Sequence, residues 1–270
     1  MASAENLELR DAAVTRDFVW VVPCHDEEER LDRDAFVALV DERPDIDVLF
    51  VDDGSEDRTL HVIENLASTR SGRIHALSLS PNRGKAEAVR HGLLHALATK
   101  PRFVGYLDAD LATPMDEMCR LSDLLRDRGV DAVFGTRVSM LGRHIERSYV
   151  RHYLGRVFAS AASLTLGLHV YDTQCGAKVF RATRSLEAAL AVPFLSRWAF
   201  DVELIGRLLA GGPGAEALSP KNIIEEPLLR WRDIPGSKLS LGAITRAPLD
   251  LARVAVDLSN RRQRRRRCER

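Results

Sequence analysis

Four apolar, β-rich runs in the first 110 residues each stop at polar or charged residues, and three of them are followed by helical periodicity. Phe18-Val19-Trp20-Val21-Val22 meets Pro23 and then the acidic stretch Asp26-Glu27-Glu28-Glu29. Asp47-Val48-Leu49-Phe50-Val51 stops at Asp52-Asp53-Gly54-Ser55, and Ile74 to Leu79 leads into Pro81-Asn82-Arg83-Gly84-Lys85. Phe103-Val104-Gly105-Tyr106-Leu107 delivers Asp108-Ala109-Asp110. This layout predicts an α/β fold: a Rossmann-like, mostly parallel central sheet flanked by helices. Open sheets of this kind bind ligands outside the carboxyl ends of their strands, so these four ends hold the first candidate site residues.

Asp108 and Asp110 are the most informative pair. Alternate residues of an extended segment project to the same side, so both carboxylates can face one divalent cation. Hard oxygen ligands suit Mg²⁺ or Mn²⁺, and these ions suit a diphosphate. A pair of solvated loop carboxylates is the plainer reading, and the pair gains weight from the other strand ends. Arg83 and Lys85 sit near a predicted helix N-terminus, a place suited to anions, although ordinary surface cations fit there equally well. Gly84-Lys85 is not part of a P-loop, and no Gly-x-Gly-x-x-Gly follows a strand, which argues against a dinucleotide oxidoreductase.

The 270 residues suffice for one large domain. With 39 basic and 39 acidic residues, overall charge does not steer the chain to nucleic acid. The last ten residues nevertheless hold seven arginines and one glutamate. Cys24, Cys119, Cys175 and Cys268 show no Cys-x-x-Cys spacing, so buried free thiols are favoured over zinc or a disulfide framework. The polar start reads as neither signal peptide nor membrane span.

Helices are predicted over Glu27–Arg43, Asp57–Arg70, Lys85–Thr99 and Pro114–Arg128, the last with Thr113 as N-cap and Pro114 at the first helical position. Asp131–Gly135 reads as a fifth strand, and a small-residue helix ends near Gly167. A strand or hairpin arm follows at Gln174–Phe180, then helices at Ala182–Leu190 and Ala199–Leu209, and an edge strand from Ile223 to Arg230 in which Pro227 is allowed. Leu241, Ile244, Leu251, Val254 and Leu258 fall near one helical face. The expected organisation is a disordered segment over 1–17 and a single domain over 18–240. The domain divides into a nucleotide-binding half (18–110) and an acceptor half (111–240). An amphipathic helix over 241–260 and a basic tail over 261–270 follow.

The collinear order Pro23-Cys24-His25-Asp26-Glu27, Asp52-Asp53-Gly54-Ser55, Asn82-Arg83-Gly84-Lys85, Asp108-Ala109-Asp110 resembles an inverting family 2 glycosyltransferase with the GT-A fold. Arg147-Ser148-Tyr149, Asp172-Thr173-Gln174-Cys175-Gly176-Ala177-Lys178, Arg197-Trp198-Ala199-Phe200-Asp201 and Ile234-Pro235-Gly236-Ser237-Lys238-Leu239 are similar to dolichyl-phosphate β-glucosyltransferases. The resemblance implies a UDP-sugar donor, Mg²⁺ or Mn²⁺, inversion at the sugar carbon and a polyprenyl phosphate acceptor. It implies that Asp110, with Asp108, holds the metal. Pro23, Asp26, Glu27, Asp52, Asp53, Arg83, Lys85, Asp108 and Lys238 would contact the nucleotide sugar. Asp110 is followed by Leu111-Ala112-Thr113 rather than Leu-Gln, which favours the glucosyl over the mannosyl branch.

A phosphate acceptor is already anionic near neutral pH and needs cations more than a base. Arg137, Arg147 and Arg151 are candidates for that clamp, against the alternative of a solvated basic face. Asp172 is the favoured catalytic carboxylate, with Asp201 and Glu203 competing or orienting Arg197. The resemblance implies a spanning helix at the start of eukaryotic members, and none is expected here. Peripheral placement at the cytoplasmic membrane face is therefore expected, through the amphipathic segment and the basic tail on anionic lipid. Two alternatives stay open: a UDP-sugar-dependent transferase with a soluble hydroxyl acceptor, and an inactive GT-A scaffold. The arginine tail lacks interleaved aromatics, so nucleic acid is not an expected partner.

Overall fold

The structure, a computed structural model, describes residues 16–146, 149–234 and 241–268. Of residues 149–152, 241–246 and 266–268 only the backbone is described. Nine strands and eight helices follow one another among these residues: β1 (Phe18–Cys24), α1 (Arg33–Glu42), β2 (Ile46–Asp53), α2 (Thr59–Thr69), β3 (Ile74–Leu79), α3 (Lys85–Ala98), β4 (Phe103–Leu107), α4 (Met115–Arg128), β5 (Ala132–Thr136), β6 (His144–Glu146), α5 (Tyr149–Leu166), β7 (Ala177–Arg181), α6 (Arg184–Leu190), α7 (Phe200–Ala210), β8 (Ile223–Pro227), β9 (Arg230–Arg232) and α8 (Leu241–Cys268).

Seven strands form one sheet in the order β3-β2-β1-β4-β7-β5-β8. All are parallel except β7, which runs antiparallel to both β4 and β5. β6 and β9 form a separate two-stranded parallel sheet. The strands read as continuous apolar runs because both sheet faces are covered. In β1, Phe18, Trp20 and Val22 face a core built with α1, α2 and α4. Val19 and Val21 face the opposite core, built with α3 and α5 to α8. Alternating side chains of one strand thus feed two cores.

Several boundaries differ from expectation for local reasons. α1 starts at Arg33 rather than Glu27, because Asp32 caps it by accepting from the Ala35 amide. Residues 27–31 form a turn, in which the Arg30 and Leu31 amides donate to the Glu27 carbonyl. Pro114 rather than Thr113 occupies the cap of α4, without a side-chain cap bond. The last edge strand ends at Pro227, whose missing amide cannot continue a ladder, and Arg230–Arg232 pairs with β6 instead. Arg16 and Asp17, expected in the N-terminal segment, are engaged with the fold: Arg16 donates to the Gly72 carbonyl and Asp17 pairs with Arg102. Residues 1–15 lie outside the described residues.

The largest departure is at the C-terminal end. The amphipathic segment and most of the basic tail form one helix, α8. Its apolar face is not free for lipid, because Leu251, Val254 and Leu258 are buried in the core. Gly206 of α7 lies so close to Leu258 that a Cβ there would come within 2.2 Å of it. None of the helices among the described residues is long and apolar enough to cross a membrane. Packing makes a sharp prediction. Leu258→Ala should cost about 2–5 kcal/mol of unfolding free energy. The exposed neighbour Val256→Ala should stay within about 0.5 kcal/mol of the parent. Urea denaturation of both variants measures this, and a small cost for Leu258→Ala would mean that α8 is not docked.

Candidate active site

The carboxyl ends of β1, β2 and β4 lie side by side in the sheet, since β1 pairs with both β2 and β4. Asp108 follows β4 directly, and its amide donates to the Gly176 carbonyl at 3.0 Å, just before β7. Its carboxylate lies over Gly176, where an added Cβ would meet Oδ2 at 2.0 Å. Only glycine leaves room for that carboxylate.

Lys85, the first residue of α3, reaches Asp108 Oδ1 at 2.5 Å. Burial pulls the ammonium pKa down, but the Asp108 carboxylate outweighs burial with help from Asp201 and Asp110, so the net shift is upward. Asp110 accepts from the Ala112 amide at 3.0 Å. Burial, and then the nearby Asp108 charge, push its carboxyl above the usual range. Such pressure is expected of a carboxylate that awaits a cation. Among the described residues no cluster of three or more His, Cys, Asp or Glu side chains can hold a metal alone. Two carboxylates still fit Mg²⁺ or Mn²⁺, which commonly complete their shell with water and substrate phosphates. The donor set therefore fits a divalent ion that binds together with a diphosphate.

The neighbouring ends divide into ligand-facing and structural groups. Asp52 is 2 % exposed; its Oδ2 accepts from the Ser55 amide at 3.3 Å, while Oδ1 is buried with no hydrogen-bond partner. A buried orphan acceptor of this kind is a place for a ligand donor. Asp53, expected beside it as a nucleotide contact, instead accepts from the Arg83 amide at 2.9 Å and the Gly84 amide at 2.7 Å. Its carboxylate pins the turn that positions Lys85. Glu27 is held by Arg30, at 2.5 Å and 2.8 Å, rather than standing free. Asp26 accepts from the Glu56 amide and Pro23 sits within β1 opposite Val51. Arg83 is exposed, 3.5 Å from His91.

Two candidates expected to act separately are brought together. Arg137 donates to Asp172 through Nε at 2.6 Å and Nη2 at 2.8 Å, a bidentate pair. Burial lowers the guanidinium pKa, but the Asp172 carboxylate more than reverses this. The Arg137 guanidinium also lies 5.4 Å from the Trp231 ring centroid. Asp172 is therefore not a solvated base, and Arg137 is not an unpaired phosphate clamp. Asp201 is likewise 5 % exposed and accepts from Lys178 at 2.8 Å and from the Tyr106 hydroxyl. It lies among buried groups, not as an exposed catalytic acid. Arg147 and Lys238 lie outside the described residues, as does the side chain of Arg151.

Sequence reasoning names Arg197 only as a group to be oriented, and passes over Lys178. The Arg197 chain lies against Gly84, where an added Cβ would meet its Cδ at 3.3 Å. Arg197 thus joins the donor-side turn from the second half of the chain. Glu203, considered for orienting it, does so through the backbone, accepting from the Leu195 and Ser196 amides at 2.9 Å and 3.3 Å. The signal for Lys178 was a lone cation inside the apolar run Ala177–Phe180, which a buried strand tolerates only with a partner.

Residues 19–184 match the family model described as Glycosyl transferase family 2. The chain belongs to that family. Among curated proteins, this glycosyltransferase is 34% identical over 239 residues to a dolichyl-phosphate beta-glucosyltransferase from Drosophila melanogaster, covering 82% of this chain and 68% of that one. It is 30% identical over 252 residues to one from Trichomonas vaginalis, covering 88% and 72%. These relatives make it a hexosyltransferase. A solved structure of glucosyl-3-phosphoglycerate synthase from Mycobacterium tuberculosis in complex with Mn²⁺, UDP-glucose and phosphoglyceric acid superposes with a TM-score of 0.61. It covers 90% of this chain and 80% of that one at 21% identity, which establishes the shared GT-A fold.

The raised Asp110 pKa has a stability consequence. A carboxyl whose folded pKa lies above its unfolded value costs stability once pH rises past the folded value, because the charge is better solvated in the unfolded chain. Asp110→Asn keeps an acceptor for the Ala112 amide and removes the charge. In metal-free protein at about pH 7.5, well above the ordinary carboxylate range, the variant should unfold at higher denaturant than the parent. The gap should narrow as pH falls through the raised folded value toward the ordinary carboxylate range, as the parent takes up its proton. Equal midpoints throughout would show that Asp110 is under no electrostatic pressure.

Proposed function

We propose that this glycosyltransferase moves glucose from UDP-glucose to a polyprenyl, dolichyl-type phosphate, with inversion at the sugar carbon and with Mg²⁺ or Mn²⁺. The observation that carries the donor side is the placement of three groups at one end of the sheet: the Asp108 and Asp110 carboxylates after β4, the Lys85 ammonium paired with Asp108, and the orphan Asp52 oxygen at the end of β2, with one strand between. The dolichyl-phosphate beta-glucosyltransferases to which the chain is similar support the acceptor.

In this reading Asp52 accepts an N–H or O–H of the nucleoside, since a carboxylate is a pure acceptor. Asp110, with Asp108, would hold the divalent ion, whose Lewis acidity neutralises charge on the departing diphosphate. Lys85, Arg83 and Arg197 would add positive charge near that leaving group. A phosphate oxygen of the acceptor forms the new bond to the sugar carbon as the bond to UDP breaks. Its second pKa is near 6, so no protein base must take a proton. The bidentate Arg137–Asp172 pair supports a phosphate over a hydroxyl acceptor, because Asp172 is already committed to a guanidinium. We read both residues, and Asp201, as positioning groups. Placement at the cytoplasmic membrane face is part of the same proposal, with the arginines that end α8 drawn to anionic headgroups.

The test is a donor screen with radiolabelled nucleotide sugars and polyprenyl phosphate, with the product recovered by organic extraction. Label entering the organic phase from UDP-glucose alone supports the proposal. Label in water-soluble product only, with a hydroxyl acceptor, would sink it. Asp110→Ala should lower turnover by about 100-fold or more, given the several kcal/mol that metal neutralisation supplies. Near-normal, chelator-insensitive turnover in that variant would remove the metal assignment. Asp172→Asn should reduce turnover and raise the acceptor KM while UDP binding by calorimetry stays unchanged. Loss of UDP affinity with normal acceptor kinetics would place Asp172 on the donor side instead.

A further inference from the structure

Helix α5 is apolar on both sides. Ala159, Ala162 and Leu166 face inward and are buried. Tyr153, Val157, Ser160 and Leu164, spaced four, three and four apart, share the opposite face. Tyr153 is 69%, Val157 70% and Leu164 85% exposed. From Tyr153 to Leu166 the only charged residue is Arg156, and its guanidinium lies 3.9 Å from the Tyr171 ring centroid, drawn toward that ring. A helix on the surface of a soluble domain normally turns polar residues outward, so this face marks a contact.

The surroundings say with what. Arg262 of α8 donates to the carbonyl of Leu166, the last residue of α5, at 2.6 Å. The apolar stripe therefore ends at the arginine-rich end of α8, where Gln263, Arg264 and Arg265 are exposed. Apolar side chains bordered by cations are the composition of a surface that lies in a lipid interface, with the apolar groups below the headgroups and the cations among them. Midway along, α5 touches the loop that carries Arg197. Phe158 packs edge-on against Trp198, 4.5 Å between centroids, and Trp198 directly follows Arg197.

We propose that the outward face of α5, Tyr153, Val157 and Leu164, together with the arginines ending α8, docks this protein on an anionic bilayer. Phe158 of the same helix packs on Trp198, which links the docked helix to the loop that carries Arg197. This rests on the polyprenyl phosphate reading and adds the surface by which the acceptor is met. It also replaces the apolar face of α8, which the core covers, with that of α5.

The full chain and the variant Val157→Asp/Leu164→Asp are sedimented with phosphatidylcholine vesicles with and without phosphatidylglycerol. The parent should bind the anionic vesicles, and the variant should bind them about tenfold less, a 1.4 kcal/mol change. UDP binding and the thermal midpoint should be unchanged, because the substituted positions are exposed and outside the site. Turnover should fall on acceptor embedded in vesicles and hold on a short-chain, water-soluble prenyl phosphate. Should the double variant misfold, Leu164→Trp takes its place, and its fluorescence should shift to the blue when anionic vesicles are added. Equal vesicle binding by parent and variant, or no spectral shift, overturns the proposal. So does analytical ultracentrifugation that shows a parent dimer and a variant monomer with vesicle binding unaltered, since the face would then join two copies of the chain. Stripe-dependent vesicle binding by a protein that uses no lipid acceptor would leave the docking surface standing and remove the acceptor reading alone.

Discussion

Lys178 has no exposed side-chain surface, and it sits in β7 between β4 and β5. An unpaired ammonium there would cost several kcal/mol, so its partners must be in place whenever the sheet is. They come from three parts of the chain. Asp201 of α7 accepts at 2.8 Å, the Cys175 carbonyl at 2.6 Å, and the Tyr106 ring of β4 lies 5.3 Å away. The pairing of Tyr106 with Lys178 also fixes the β4–β7 register. A slip of one residue would turn Lys178 to the other face and away from Asp201. The same slip would carry Gly176 away from Asp108, whose carboxylate tolerates no Cβ beneath it. One buried ion pair thus sets the register on which the placement of Asp108 depends.

A second buried pair holds the loop that carries Arg197 and Trp198. Glu203 and Arg207 of α7 lie 2.5 Å apart with almost no exposed surface. Burial pushes each toward its neutral form, and each charge opposes that shift in the other. Arg207 donates to the carbonyls of Ala189, Val192 and Pro193, and Arg90 to that of Leu190. Glu87 accepts from the Phe194 amide and Glu203 from those of Leu195 and Ser196. Ser196 in turn donates to Asp250 of α8 at 2.8 Å and accepts from the Ala199 amide. Four carbonyls and three amides between 189 and 196 thereby meet fixed side-chain partners. A loop held in this way can present a cation at a defined place, which is what a positioning role requires.

Much of this was legible in the sequence. Parallel strands buried on both faces leave unbroken apolar runs, so β1, β2 and β4 announced themselves together with the charges at their ends. What stayed hidden was pairing at long range. Gln174–Phe180 read as a strand, but nothing local says that it enters the sheet antiparallel between β4 and β5. Asp172 and Arg137 were each chosen for a separate task, because residues 35 positions apart give no sign that they bind each other. Asp53 looked like a ligand contact because an acid at a strand end does, whereas its acceptors are used by two backbone amides. The helical face of α8 was visible as a pattern, and a pattern alone cannot tell protein from lipid as its cover.

The charges at the site explain why it suits a metal–diphosphate ligand better than either part alone. Asp108 and Asp110 bring two carboxylates against one ammonium, Lys85, and burial raises the cost of leaving Asp110 charged. A bare diphosphate would add negative charge to a place already short of cations. A bare divalent ion would meet two carboxylates, one of them engaged with Lys85, and would remain largely solvated. On the proposed reading, ion and diphosphate bound together would let Asp110 keep its charge and leave Lys85 and Arg197 available to phosphate oxygens. On that reading, the burial that raises the Asp110 pKa would favour the assembled pair over either part.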